Sequence, residues 1–351
     1  MKKSIFKKGT SALLAVVMCL SAFLGIGSTT AFAAEATTDE VVMFSFPREG
    51  DDNFGGDWGH GELHYMNGWS AASTKKITVY TIGSWSGNAC YCIEPGTPLD
   101  IGDVMTKRDE TYWDNYPSTY NKTISADEIK LFIGRIFQYG YTGTVDIDWR
   151  SQNSADADKM AHIMATQTLI WETVVGERDG NFNHVDTGSY DAVNDRVSKN
   201  HPLYSQYISY YNSIVSNVQK HSKVPSFFAK STSKAQDIEL EWNGTNYSTT
   251  LTDTNNVLGN YSFTASESGI SFSASGNKLT ITATKAPTSK VSITATKNGS
   301  VRKGVVVWSD GKYAPGNGQQ DLSTFAAEVN DPVRGYLNIK VSLGSAKIVK
   351  T

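Results

Sequence analysis

The sequence predicts an α+β protein, with a β part and a helical part in its first two-thirds, followed by an all-β immunoglobulin-like sandwich. Three observations carry this expectation. Lys76 to Ile93 alternates apolar and polar side chains around a break at Gly83 to Gly87, the pattern of paired strands. Three stretches between Ser125 and Lys220 repeat apolar residues at helical spacing. From Ile238 to Trp308 helical periodicity disappears and short alternating segments follow one another through turn signals.

At 351 residues the chain is long enough for more than one core. A net charge of −3, with 32 basic residues scattered rather than clustered, argues against nucleic acid or another polyanion as partner. Residues 1–33 read as a secretory signal peptide: Lys2, Lys3, Lys7 and Lys8 precede the apolar run Ala12–Ile26, and Ala31-Phe32-Ala33 is a small-x-small cleavage site. The run is short for a membrane span, so no membrane insertion is expected after cleavage. Cys19 is lost with the signal, which leaves Cys90 and Cys92.

Residues 35–60, with Asp51, Asp52, Gly55, Gly56 and Asp57, read as an exposed lead-in. His60 and His64 lack a third or fourth ligand at a recognisable spacing, so neither a metal nor any other cofactor is called for. The strand pattern places Cys90 and Cys92 on one face, and Ala89, Tyr91 and Ile93 on the other. Two residues along a strand span roughly 6.6 Å, at the outer edge of what a disulfide tolerates. A Cys90–Cys92 bridge would be strained, although pairing remains the usual state of two cysteines in a secreted protein.

Ser125-Ala126-Asp127-Glu128 forms a capping box that opens a helix with the stripe Ile129, Phe132, Ile133, Ile136 and Phe137, ending near Gly140. A second helix starts between Ser154 and Asp158 and stops at Gly176. Its stripe of Met160, Ile163, Met164, Ile170, Trp171 and Val174 contains one amide, Gln167, near its centre. A third helix runs from about Pro202 to Lys220, with a tyrosine row assigned to the core. Beyond Pro225 come the segments Ile238–Trp242, Tyr261–Phe263, Ile270–Phe272, Leu279–Thr282, Val291–Thr294 and Val305–Trp308. Gly335–Val341 and Ala346–Thr351 read as strands with nothing after them to pair with, so a fragment of a longer chain is expected.

Tyr91-Cys92-Ile93-Glu94-Pro95-Gly96 and Thr166-Gln167-Thr168-Leu169-Ile170-Trp171 resemble the paired signatures of the thioester domains of Gram-positive bacterial surface adhesins. In that family an aromatic-Cys segment on a strand and a Thr-Gln-x-x-x-Trp segment on a helix supply an internal thioester. The resemblance covers roughly residues 40–225. It implies Cys92 as the thiol and Gln167 as the acyl donor, with Tyr91, Thr166 and Trp171 in support. It also implies covalent attachment to Lys amines of host-surface proteins and further β domains of the same polypeptide as a stalk. On this reading residues 40–225 are the thioester domain and 230–330 an Ig-like sandwich. Residues 334–351 then start a further Cna-B-like domain, in which Lys350 would take part in a Lys–Asn isopeptide bond, and a cell-wall anchor would follow. Leu169 departs from the family, which often has a small residue there. Cys90 is an extra thiol on the same face and a competitor for Gln167.

Chemically, attack of the Cys92 thiol on the Gln167 carboxamide would release ammonia and leave a thioester. Tyr91 and Trp171 would shield it from water, and a primary amine would open it in a single use rather than a catalytic cycle. Two other classes stay open. One is a secreted cysteine hydrolase or transglutaminase-like enzyme, with His162, His184 or His201 as base. The other is a non-covalent sugar- or protein-binding module in which Gln167 only hydrogen-bonds in the core.

Overall fold

A computed structural model describes residues 38–45, 78–82, 87–95, 97, 99, 103–116, 123–146, 154–187, 203–311 and 318–341. The signal peptide, His60, His64, Pro202, His201 and the segment containing Lys350 lie outside the described residues. The α+β class and the β-rich C-terminal part are both present.

Six strands close into a barrel, in the order β1-β2-β3-β12-β11-β4. They are β1 (Thr38–Ser45), β2 (Thr78–Ile82), β3 (Ala89–Cys92), β4 (Val104–Arg108), β11 (Val301–Ser309) and β12 (Leu322–Asn330). Three helices cover one side: α1 (Ala126–Tyr139), α2 (Ser154–Val175) and α3 (Tyr204–His221). The Ser125 hydroxyl accepts from the Glu128 N–H and the Glu128 carboxylate accepts from the Ser125 N–H, which fixes where α1 begins. All five residues of its stripe are buried. Where α1 lies on β11, a Cβ at Gly134 would stand 2.6 Å from the Lys303 carbonyl oxygen, so this crossing needs glycine.

Helix α2 packs against α1, α3 and β3, and this central place explains why Thr166, Gln167, Thr168, Glu172 and Thr173 are buried along with its apolar stripe. It stops at Gly176, whose φ of 89° suits a residue without a side chain. Glu172 near its C-terminal end is held by Arg178, 2.6 Å away, and by the Tyr211 hydroxyl of α3. Tyr207 and Tyr211 are buried, as expected for the tyrosine row.

The remaining strands form one seven-stranded sheet, in the order β7-β10-β13-β5-β6-β9-β8. Its members are β5 (Gln236–Trp242), β6 (Tyr247–Thr252), β7 (Tyr261–Ala265), β8 (Ile270–Ser275), β9 (Lys278–Ala283), β10 (Val291–Lys297) and β13 (Arg334–Val341). The two edge strands face each other across a shared core: Phe263 of β7 and Phe272 of β8 have ring centroids 5.8 Å apart.

Strand pairing departs from the expected segmentation in two places. The Val305–Trp308 segment, read as part of the sandwich, lies in β11 and pairs with β4 of the barrel, Val307 opposite Arg108. Strand β12 joins it there and pairs with β3, Leu322 opposite Cys92. Alternation marks a segment as a strand but does not name its neighbour, and closing a longer loop adds little entropic cost. The second departure is β13, expected to open another domain. It runs parallel to β5 and antiparallel to β10, with Leu337 and Ile339 fully buried between them.

Candidate functional site

The register of β3 sorts its side chains as alternation requires. Ala89, Tyr91 and Ile93 enter the core shared with the helices, and Cys90 and Cys92 enter a smaller core with Tyr80, Leu99, Met105 and Leu322. Both thiols are free.

Pairing of β3 with β2 is registered at Ala89 and Cys90, and the Ile93 N–H donates to the Asp321 carbonyl on the β12 side. The polar backbone of Cys92 therefore turns toward α2, where the Gln167 side chain takes the place of a strand. The Cys92 N–H donates to Gln167 Oε1 at 2.8 Å, and Gln167 Nε2 donates to the Cys92 carbonyl at 2.9 Å. Two buried backbone groups and both ends of a buried amide are satisfied at once, which accounts for a polar residue on this helix face. Neither bond goes to Cys90.

Burial pushes the Cys92 thiol up to about 12, partly offset by the Trp171 side chain and the Glu94 backbone, while the Glu94 and Asp321 carboxyls add to the rise. The Trp171 indole packs against both cores. Cys90 is likewise raised by burial. Tyr91 does not lie over the Cys92 sulfur, as the shielding role would require, because alternation sends it to the opposite face of β3. There its hydroxyl donates to the Tyr141 carbonyl at 2.6 Å. Thr166 secures the same turn: its hydroxyl accepts from the Tyr141 N–H at 2.9 Å and donates to the His162 carbonyl at 2.8 Å. Tyr91 and Thr166 thus hold the strand and helix in position from behind.

An acidic cluster missing from the sequence reading sits beside Cys92. Glu94 follows it by two residues, and Asp321 precedes Leu322, its partner across the ladder. The Asp321 N–H donates to Glu94 Oε2 at 3.0 Å, and the Tyr112 hydroxyl donates to Asp321 Oδ2 at 2.8 Å. Burial raises Glu94 to about 7; Asp321 and Asp310 add to this, and the Asp321 N–H opposes it. Burial also raises Asp321 to about 6, against the Ser309 and Tyr112 hydroxyls and Arg108, with Asp310 adding to the rise. The sequence signal for Glu94 is its place two residues after Cys92, just beyond the end of β3; Asp321 arrives from a distant segment that carries no such signal.

Of the histidines proposed as bases, the two among the described residues stand elsewhere. His162 stacks on Tyr210 with ring centroids 4.1 Å apart, and His184 is exposed beside Arg178. Among the described residues no group of three or more His, Cys, Asp or Glu side chains is placed to hold a metal ion. No helix among them is long and apolar enough to cross a membrane.

Residues 89–220 match the thioester-domain family. The thioester-domain match takes in β3, α1, α2 and all but the last residue of α3, and so both Cys92 and Gln167. It bears out the resemblance read from the two motifs and supports a thioester-containing, adhesin-type function. Among solved structures, the thioester domain of the Staphylococcus aureus TIE protein is similar at 18% identity and a TM-score of 0.40, covering 87% of this chain and 99% of that one. The Bacillus anthracis TIE protein is similar at 11% identity and a TM-score of 0.35, covering 87% of this chain; the chain spans 49% of that protein's length. No curated protein matches.

Proposed function

We propose that this protein is a bacterial surface adhesin in which Cys92 and Gln167 condense into an internal thioester that captures Lys amines on host-surface proteins. The two-point hydrogen bond between the Gln167 amide and the Cys92 backbone carries the reading. It lays the carboxamide carbon against the residue that bears the thiol, so the reaction needs no search for its partner. The Cys92 N–H already points at Gln167 Oε1, the oxygen that becomes negative when sulfur adds to the carbonyl, and acts as an oxyanion donor. Ammonia leaves from Nε2, and the thioester keeps the N–H contact.

Burial serves storage. A thiol as weakly acidic as Cys92 makes a poor leaving group, so the ester resists water until an amine enters. Attack by a Lys Nζ on the acyl carbon then forms an amide to Gln167 and returns the free thiol. The amino-terminal signal sequence supports delivery to the cell exterior, and the seven-stranded sheet provides a spacer from the surface.

Intact mass tests this directly. The mature protein is expected one ammonia lighter than its sequence, and methylamine should restore a full-length species with the adduct on Gln167. Cys92→Ala and Gln167→Ala should each lack the deficit, whereas Cys90→Ala should keep it. A full-sequence mass in freshly prepared wild type rejects the proposal; loss of the deficit in Cys90→Ala but not Cys92→Ala transfers the bond to Cys90.

A further inference from the structure

Thioester formation moves a proton as well as an acyl group, and neither Cys92 nor Gln167 can carry it. The thiol must lose a proton before sulfur attacks, and the departing amide nitrogen must gain one to leave as ammonia. Burial makes Cys92 a reluctant acid. No histidine acts on it among the described residues.

The oxygen atoms beside it are unusual. Glu94, Gln320 and Asp321 are 3%, 6% and 2% exposed. Even so, Glu94 Oε1, Gln320 Oε1 and Asp321 Oδ1 are buried acceptors with no hydrogen-bond donor among the described residues. A buried acceptor left open is costly, and native proteins retain few of them. The other halves of these groups are pinned: Glu94 Oε2 by the Asp321 N–H, Asp321 Oδ2 by Tyr112, and the Gln320 Nε2 by the Glu94 and Thr97 carbonyls. Each carboxyl therefore holds one oxygen fixed and the other ready for a proton. Glu94 lies in the bend just after β3 ends, tied to the Asp321 N–H beside Leu322, the residue opposite Cys92, and both carboxyls act on the Cys92 thiol.

Resting on the thioester reading above, we propose that Glu94 and Asp321 form a carboxyl relay that carries the proton between the Cys92 sulfur and the departing Gln167 nitrogen. The ionised relay takes the thiol proton as sulfur bonds to the acyl carbon. It returns that proton to Nε2 as the C–N bond breaks and ammonia leaves, and it ends in its starting charge state. In the opening reaction the steps reverse: the relay takes a proton from the attacking amine and delivers it to the departing sulfur. Groups acting on the pair are Cys92 from β3, the Thr97 hydroxyl on Glu94, Arg108 from the end of β4, Tyr112 from the following 3-10 turn, and Ser309 and Asp310 from the end of β11. Tyr116 belongs to the same surroundings: its hydroxyl donates to the Ile93 carbonyl and its ring packs on Tyr112.

Ammonia opens a thioester back to Gln167 and free Cys92, so closure can be timed by intact mass after ammonia is removed, between about pH 5 and pH 9. In wild type the closure rate should rise with pH as the relay ionises and then level off near neutrality. Glu94→Gln should close about 100-fold more slowly, with a rate that keeps climbing with pH because only direct thiolate formation remains. Glu94→Asp should recover the plateau, and Asp321→Asn should displace it. Closure of Glu94→Gln at the wild-type rate with the wild-type profile overturns the relay. If that variant fails to give a cooperative thermal transition, the wild-type profile decides alone, and a rate that climbs without a plateau overturns it. A wild type with no ammonia deficit at all removes the thioester itself, whereas a deficit with an unaltered Glu94→Gln removes only the relay.

Discussion

Strand β12 is bracketed by two buried aspartates with opposite surroundings. Asp321, just before it, has a carboxyl and hydroxyls for company, and one of its oxygens is open. Asp331, just after it, receives two hydrogen bonds from the Arg135 guanidinium of α1, at 2.6 and 2.9 Å, and lies 2.8 Å from His221 Nε2 at the end of α3. Burial alone would raise both. At Asp331 the hydrogen bonds from His221 and Arg135 outweigh burial and hold the carboxyl well below the usual range, whereas Asp321 stays raised. Burial of a carboxyl is thus not itself informative about role. A carboxylate whose oxygens are filled by an arginine and a histidine is a joint; one held half-paired near neutrality is equipped to exchange protons.

The largest expected effect is at the joint. Asp331 connects α1 and α3 to the chain as it leaves the barrel for β13, and Asp331→Ala would strand Arg135, itself buried, without a counter-charge. A loss of about 3–5 kcal/mol is expected, read as a shift in urea midpoint at constant slope. A midpoint close to wild type would mean that Arg135 reaches water or another partner, and the contrast with Asp321 would lose its basis.

The two ends should also respond oppositely to pH. Asp331 has a depressed value, so its contribution is present above the unfolded carboxylate value and lost as pH falls through the folded one. Glu94 and Asp321 have raised values. Their contribution is complete below the unfolded values and lost as pH rises through about 6 for Asp321 and about 7 for Glu94. Glu94→Gln keeps an acceptor for the Asp321 N–H but cannot ionise. Measured in the Cys92→Ala background, to keep the thioester out of the comparison, it should gain on its parent from acid to neutral pH, by on the order of 2 kcal/mol. A stability difference that does not vary with pH would show that Glu94 ionises without penalty.

This contrast also marks how far the sequence could be read. The helices were legible because their signals are local: the Ser125–Glu128 box, Gly176 at φ 89°, and the buried stripe of α1 all sit where spacing put them. Gln167 stood out as an amide among apolar neighbours, and its meeting with Cys92 followed once two motifs were read together. The partners of β11, β12 and β13 were not legible, because alternation says which face is buried and nothing about which strand lies alongside. Asp321 and Asp331 owe their characters to those pairings. Both look alike in sequence, each an acidic residue at a strand end, and only the register that brings Glu94 to one and Arg135 to the other separates them.

The smallest effect belongs to a third carboxylate on the same strand. Glu328 of β12 accepts from Gln138 Nε2 at 3.1 Å and lies 3.5 Å from Lys303 Nζ, with its side chain 48% exposed. The Gln138 hydrogen bond and the Lys303 charge hold its carboxyl below the usual value, so by sign it resembles Asp331. Water, however, solvates the Glu328 charge whether or not Lys303 is near, and holding two long side chains together costs entropy. Glu328→Gln should therefore leave the urea midpoint unchanged in both low and high salt. A destabilisation approaching that of Asp331→Ala, and fading as salt is added, would mean that pairing with a cation suffices to make a carboxylate of this strand structural. An unchanged midpoint, beside a large loss at Asp331, assigns the difference to burial of the paired charges.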